Sequence, residues 1–81
     1  MNLIFETRDL GFSIGRNVYQ NGSHVAEIYN LDLVARDLTI GMKITKINGE
    51  NVEQRQHDHI ANMLQVSKLP MRITFQVAVF L

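Results

Sequence analysis

The chain contains no cysteine, no tryptophan and a single proline among its 81 residues. Without cysteine there is neither a disulfide framework nor a thiolate metal site, a pattern that fits a reducing cytoplasmic setting. Charge of one sign is missing too. Eight Lys and Arg balance eight Asp and Glu, scattered without a block that would draw in nucleic acid or an anionic membrane surface. No stretch approaches the ~18 apolar residues of a membrane span, and a basic segment followed by an apolar run of secretory type is absent. The length suits one domain over residues 1–81 with one core. Hydrophobic residues make up 46% of the chain but aromatics only 7%, so that core must be built mainly of Ile, Val, Leu, Met and Ala.

Several short extended segments are separated by turn signals. Residues 3–6 read as a strand, Thr7-Arg8-Asp9 as a loop, and residues 10–14 as a second strand with Leu10, Phe12 and Ile14 on one face and Gly11 and Ser13 on the other. Asn21-Gly22 marks a turn before a strand over residues 24–29. Asp32 is placed to cap a short helix over residues 33–36. Lys43 to Ile47 is rich in β-branched residues, although Ile44 and Ile47 do not alternate cleanly, and Asn48-Gly49 predicts a tight turn into a brief strand at Asn51-Val52. Residues 56–65 carry apolar side chains at Ile60, Ala61, Met63 and Leu64, the spacing of an amphipathic helix. From Met71 to Phe80 the chain alternates, with Ile73, Phe75, Val77 and Val79 on one face. Residues 76–81 form either a tail or an extension of that last strand.

This order of elements, with Gly11-Phe12-Ser13-Ile14 near the start, Ile47-Asn48-Gly49-Glu50-Asn51-Val52 in the middle and His57 opening the long helix, resembles the PDZ domain family over nearly the whole chain. The resemblance implies an α+β fold, a five- to six-stranded, partly open antiparallel β-barrel or sandwich capped by one short and one longer helix. It implies an interaction module rather than an enzyme, with no cofactor, which binds the free C-terminal ends of partner proteins by adding a strand between the second strand and the long helix. Membrane receptors, channels and signalling proteins are the expected owners of such tails, and the expected location is the cytoplasm, at the inner face of membranes through those partners. Nucleic acid binding and direct membrane insertion are not implied. Two positions depart from the family pattern: Asp9 replaces the first glycine of the loop, and Gly41-Met42 stands where Gly-Asp is usual.

By the same resemblance, the amides of Leu10, Gly11 and Phe12 receive the ligand carboxylate. Backbone N–H groups converging in a tight loop suit an anion, and glycine allows close approach, although on the loop alone a simple turn or bulge role serves Gly11 equally. Leu10, Phe12 and Ile14 form one wall of an apolar pocket. On a helix advancing about 100° per residue, His57, Ala61 and Leu64 fall in one narrow stripe that can form the other wall, while Ile60 and Met63 lie further round toward the core. Alternation along an added strand directs the third-from-last ligand side chain at His57, which implies Ser or Thr there and an apolar last residue. Ser13 is placed to touch the penultimate side chain. Asp9 brings a carboxylate beside the docking loop, and Arg8 is the nearest compensating charge.

Other readings carry less. In His57-Asp58-His59 the two histidines point in different directions on a helix, unlike an i, i+4 metal pair. Ser13 and His57 diverge and lack an orienting acid, which opposes a nucleophile–base pair. The rival from a different class is a homotypic assembly module in which the apolar tail, through Val77, Val79 and Leu81, pairs with a second copy.

Overall fold

The structure is a computed structural model that describes residues 1–18 and 20–78. Its elements follow the expected order: β1 (Asn2–Phe5), β2 (Phe12–Arg16), β3 (Ser23–Ile28), α1 (Leu31–Ala35), β4 (Lys43–Ile47), β5 (Glu50–Asn51), α2 (His57–Val66) and β6 (Met71–Gln76). The strands form an open antiparallel sheet in the order β1-β6-β4-β3-β2, with β5 paired to β4. No helix among the described residues is long and apolar enough to cross a membrane.

Alternation builds the core. Leu3 and Phe5 of β1, and Met71, Ile73 and Phe75 of β6, turn to the same interior, where Ile60 of α2 and Leu33 of α1 close over them. Phe5, Phe12 and Phe75 form a chain: the Phe12 ring lies 5.7 Å from that of Phe5 and 5.6 Å from that of Phe75, the latter edge to face. Such tilted contacts suit the ring quadrupoles and fasten the start of β2 to both β1 and β6.

The irregular spacing of Ile44 and Ile47 has a structural cause. The β4–β6 register shifts between Ile44 and Lys46, so Thr45 is an extra residue on β4, and the bulge lets both isoleucines reach the core. Thr45 itself is buried, and its hydroxyl donates to Thr74 O at 3.2 Å. At the end of β4, Asn48 and Gly49 have φ of 50° and 84°, the left-handed pair of a two-residue hairpin. Asn48 ties that turn to β6, because its Oδ1 accepts from the Arg72 N–H at 2.8 Å.

One expectation is corrected, and the end of the last strand is fixed. The short helix is capped by Asn30, not Asp32: the Asn30 Oδ1 accepts from the Asp32 N–H at 3.0 Å, which starts α1 earlier. The last strand ends at Gln76. Val77 lies beyond it and is 62% exposed, because the pairing that buries Ile73 and Phe75 between β4 and β1 has already ended. Val79 and Leu81, with the rest of the apolar tail after Ala78, lie outside the described residues.

Candidate functional site

β2 is an edge strand, and two sets of hydrogen bonds decide which way its main chain points. Tyr29 N–H donates to Gly11 O at 2.8 Å, which makes the register partners Phe12 and Ile28 a non-hydrogen-bonded pair. Val25, the partner of Ile14, has turned its own N–H and C=O to Met42 and Gly41 on its other side, so Ile14 is in a non-bonded pair as well. The N–H and C=O groups of Phe12 and Ile14 therefore face away from β3, toward the free edge. An extended segment laid along that edge would find donors and acceptors at alternate residues.

Beside this edge runs a groove of about 350 Å³. One wall is Leu10, Gly11, Phe12, Ser13 and Ile14, and the other is Ala61, Leu64 and Gln65 of α2, with Arg8, Asp9 and Tyr29 at the rim. Phe12 and Leu64 are buried and serve the core as well as the groove, whereas Leu10 and Ile14 are only partly buried against it. Ile60 is fully buried and Met63 packs partly against the core, as the helix stripe requires.

The end of the groove at Gly11 is built by backbone geometry. Gly11 has φ of 78°, and its carbonyl accepts from both Tyr29 N–H and Asn30 N–H. The Arg8 guanidinium donates to Leu64 O at 3.3 Å, a carbonyl in the last turn of α2, where helix carbonyls lack intrahelical partners. Arg8 thus clasps the loop to the helix. Asp9 is exposed at the same rim.

At the opposite end, Arg16 of β2 and Asp58 of α2 pair across the gap at 3.0 Å, with both side chains largely exposed, a contact worth little in stability. His57 does not line the groove as bounded above. It is half-buried at the first position of α2, one turn before Ala61, and its Nδ1 lies 2.9 Å from the hydroxyl of Ser23. Ser23 is fully buried, so the serine that His57 meets is closed to solvent and is not Ser13. His59 is exposed. Among the described residues no group of three His, Cys, Asp or Glu side chains could hold a metal ion.

Of the residues expected from the sequence, Arg8, Asp9, Leu10, Gly11, Phe12, Ser13, Ile14, Ala61 and Leu64 meet in one groove, with His57 beyond its end. Tyr29, Gln65 and Ser23 were not expected. For Ser23 a signal existed: it stands two residues before Val25, on the inward face of the same strand, and an inward hydroxyl requires a partner.

A family model described as PDZ domain matches residues 2–77. The structure is similar to that of the second PDZ domain of Dlg1 from the choanoflagellate Monosiga brevicollis, with a TM-score of 0.76 and 19% identity over 94% of this chain and 89% of that one. It is also similar to a PDZ domain from choanoflagellate GIPC, with a TM-score of 0.74 and 19% identity over 98% and 88% of the two chains. That domain bound to a GAIP peptide gives a TM-score of 0.70 and 22% identity over 98% and 87%. No curated protein matches the chain in sequence.

The Gly11 end of the groove depends on its glycine in a way that a second left-handed glycine can calibrate. A Cβ at Gly11 would lie 2.7 Å from the Asn30 Cβ, whereas at Gly41, with φ of 95°, nothing lies within 4 Å. Gly41→Ala should therefore cost only the backbone term of about 1 kcal/mol, and Gly11→Ala about 2–3 kcal/mol because the loop must also shift. Urea unfolding of both variants checks this, and equal losses would show that the Asn30 contact does not matter.

Proposed function

The chain belongs to the PDZ domain family, and we propose that this member binds the free C-terminal ends of partner proteins in the groove between β2 and α2. The observation that carries the reading is the free edge of β2, where the main-chain groups of Phe12 and Ile14 face outward beside a groove lined by Leu10, Gly11, Ala61 and Leu64. As a PDZ domain it is a peptide-binding interaction module, and the GIPC relative has been seen with B1AR and GAIP peptides.

In this reading a ligand strand runs along β2 and ends at the loop, where the N–H groups of Leu10, Gly11 and Phe12 receive its carboxylate without a counter-charge. The last ligand side chain enters the pocket of Leu10, Phe12, Ile14, Ala61 and Leu64, and Ser13 touches the penultimate one. Successive side chains alternate, so the third-from-last points at His57 and favours Ser or Thr. Receptor, channel or signalling tails of that form are the proposed partners. The alternative of self-association through Val77, Val79 and Leu81 draws on the exposure of Val77 alone, and no described contact favours it.

The test that decides the reading is titration with matched peptides, one ending in a free carboxylate and one amidated. The free form should bind in the micromolar range, about −8 kcal/mol, and the amidated form far more weakly; equal affinities would remove the carboxylate site. With His57→Val, the preference for Thr over Val at the third-from-last place, about fivefold for one net hydrogen bond, should vanish.

Asp9 supplies a separate test. Arg8 donates to Leu64 O and is not paired with Asp9, so the exposed carboxylate at the rim opposes an incoming anion. Asp9→Gly should tighten binding roughly threefold at low salt, with a smaller gain in high salt, where screening already weakens the repulsion. Unchanged affinity at low salt would place the Asp9 charge out of range of the ligand terminus.

A further inference from the structure

Ser23 opens β3 with no solvent exposure. A serine hydroxyl carries one proton, and in an interior closed to water that proton needs an acceptor, since an undonated buried O–H costs more than the bond would return. Among the described residues the one partner of the Ser23 hydroxyl is His57 Nδ1, at 2.9 Å, and no buried side-chain nitrogen or oxygen is left without a partner. The hydroxyl therefore donates to Nδ1. An Nδ1 that accepts carries no hydrogen, so the neutral ring holds its proton on Nε2. Nε2 lies across the ring from Ser23, and among the described residues it meets no hydrogen-bond partner.

We propose that Ser23 is a positioning residue that locks His57 as an Nε2–H donor and so sets the chemical class of ligand side chain read at that place: one offering a hydrogen-bond acceptor. This rests on the groove reading above and adds a direction to it. The ligand hydroxyl would be favoured as an acceptor, and its own proton would be dispensable. Backbone placement supports the division of labour, because Ser23 is fixed by the β2–β3 pairing with Arg16 while His57 sits on α2. The contact thus couples the helix that bears the reader to the strand pair that forms the opposite wall.

Two isosteric side chains separate donor from acceptor: O-methylserine and norvaline differ by an ether oxygen in place of a methylene, and neither can donate. The folded wild-type protein, titrated with free-carboxylate peptides bearing one or the other at the third-from-last place, should prefer O-methylserine by about threefold to fivefold. Long-range proton–nitrogen NMR of the neutral His57 ring should show the hydrogen on Nε2. In Ser23→Ala the isostere preference should fall toward unity, and Ser23→Thr, which keeps the hydroxyl, should restore it. A proton on Nδ1 in the wild type, or an unchanged preference in Ser23→Ala with the peptide still bound, would overturn the inference. If neither peptide binds the wild type at all, it is the groove reading that fails, since the NMR result needs no ligand.

Discussion

The carbonyl of Gly11 accepts two hydrogen bonds, from the N–H groups of Tyr29 and Asn30, and much of the molecule is arranged around that junction. The first bond sets the phase of the β2–β3 ladder, which decides that Phe12 turns its main chain outward. The second holds Asn30, whose side chain in turn caps α1 by accepting from Asp32 N–H. Both require the left-handed backbone at Gly11 and a side-chain-free approach to Asn30. The phase of the edge strand and the start of the helix are thus consequences of one backbone conformation that glycine adopts at low cost.

A free edge beside an apolar groove is ordinarily a liability, because unpaired N–H and C=O groups invite another strand. Here the exposure is bounded. β2 has five residues, α2 stands along it, Arg8 ties the loop to the end of the helix, and Arg16 and Asp58 face each other across the other end. An entering strand must also fit between a helix and a sheet, which a flat aggregating sheet does not. The geometry that limits nonspecific pairing is therefore the same geometry that can select one extended ligand.

Periodicity carried most of the architecture. Alternation in β6 and the helical stripe of α2 were legible because burial of Ile73, Phe75, Ile60 and Leu64 demands those spacings, and the element order with Asn48-Gly49 and Gly11-Phe12 was enough to suggest the family. What escaped was what depends on three-dimensional neighbours. The bulge at Thr45 was visible only as broken alternation, since its resolution needed the Thr74 carbonyl. Asn30 and Asp32 are both good capping residues, and the bond from the Asn30 N–H to the Gly11 carbonyl decides between them. Val77 continued the pattern, but β6 had lost its partners by then. Arg16 and Asp58 are 42 positions apart, and no local rule joins them.

The candidate site divides along the same line between what is generic and what is selective. Main-chain groups of β2 and the loop amides would engage any extended chain with a terminal carboxylate, and their placement follows from the fold, so a sequence that specifies the fold specifies them. In the proposed reading selectivity comes from side chains, and these are few: the apolar pocket, the exposed carboxylate at Asp9 and the imidazole of His57. An imidazole alone is ambiguous, because each neutral tautomer offers a donor at one nitrogen and an acceptor at the other. The ambiguity is removed from inside the protein, by a buried hydroxyl whose own need for an acceptor outweighs the ring's freedom to choose. A single hydrogen bond that contributes modestly to stability can in this way determine which chemistry the surface presents.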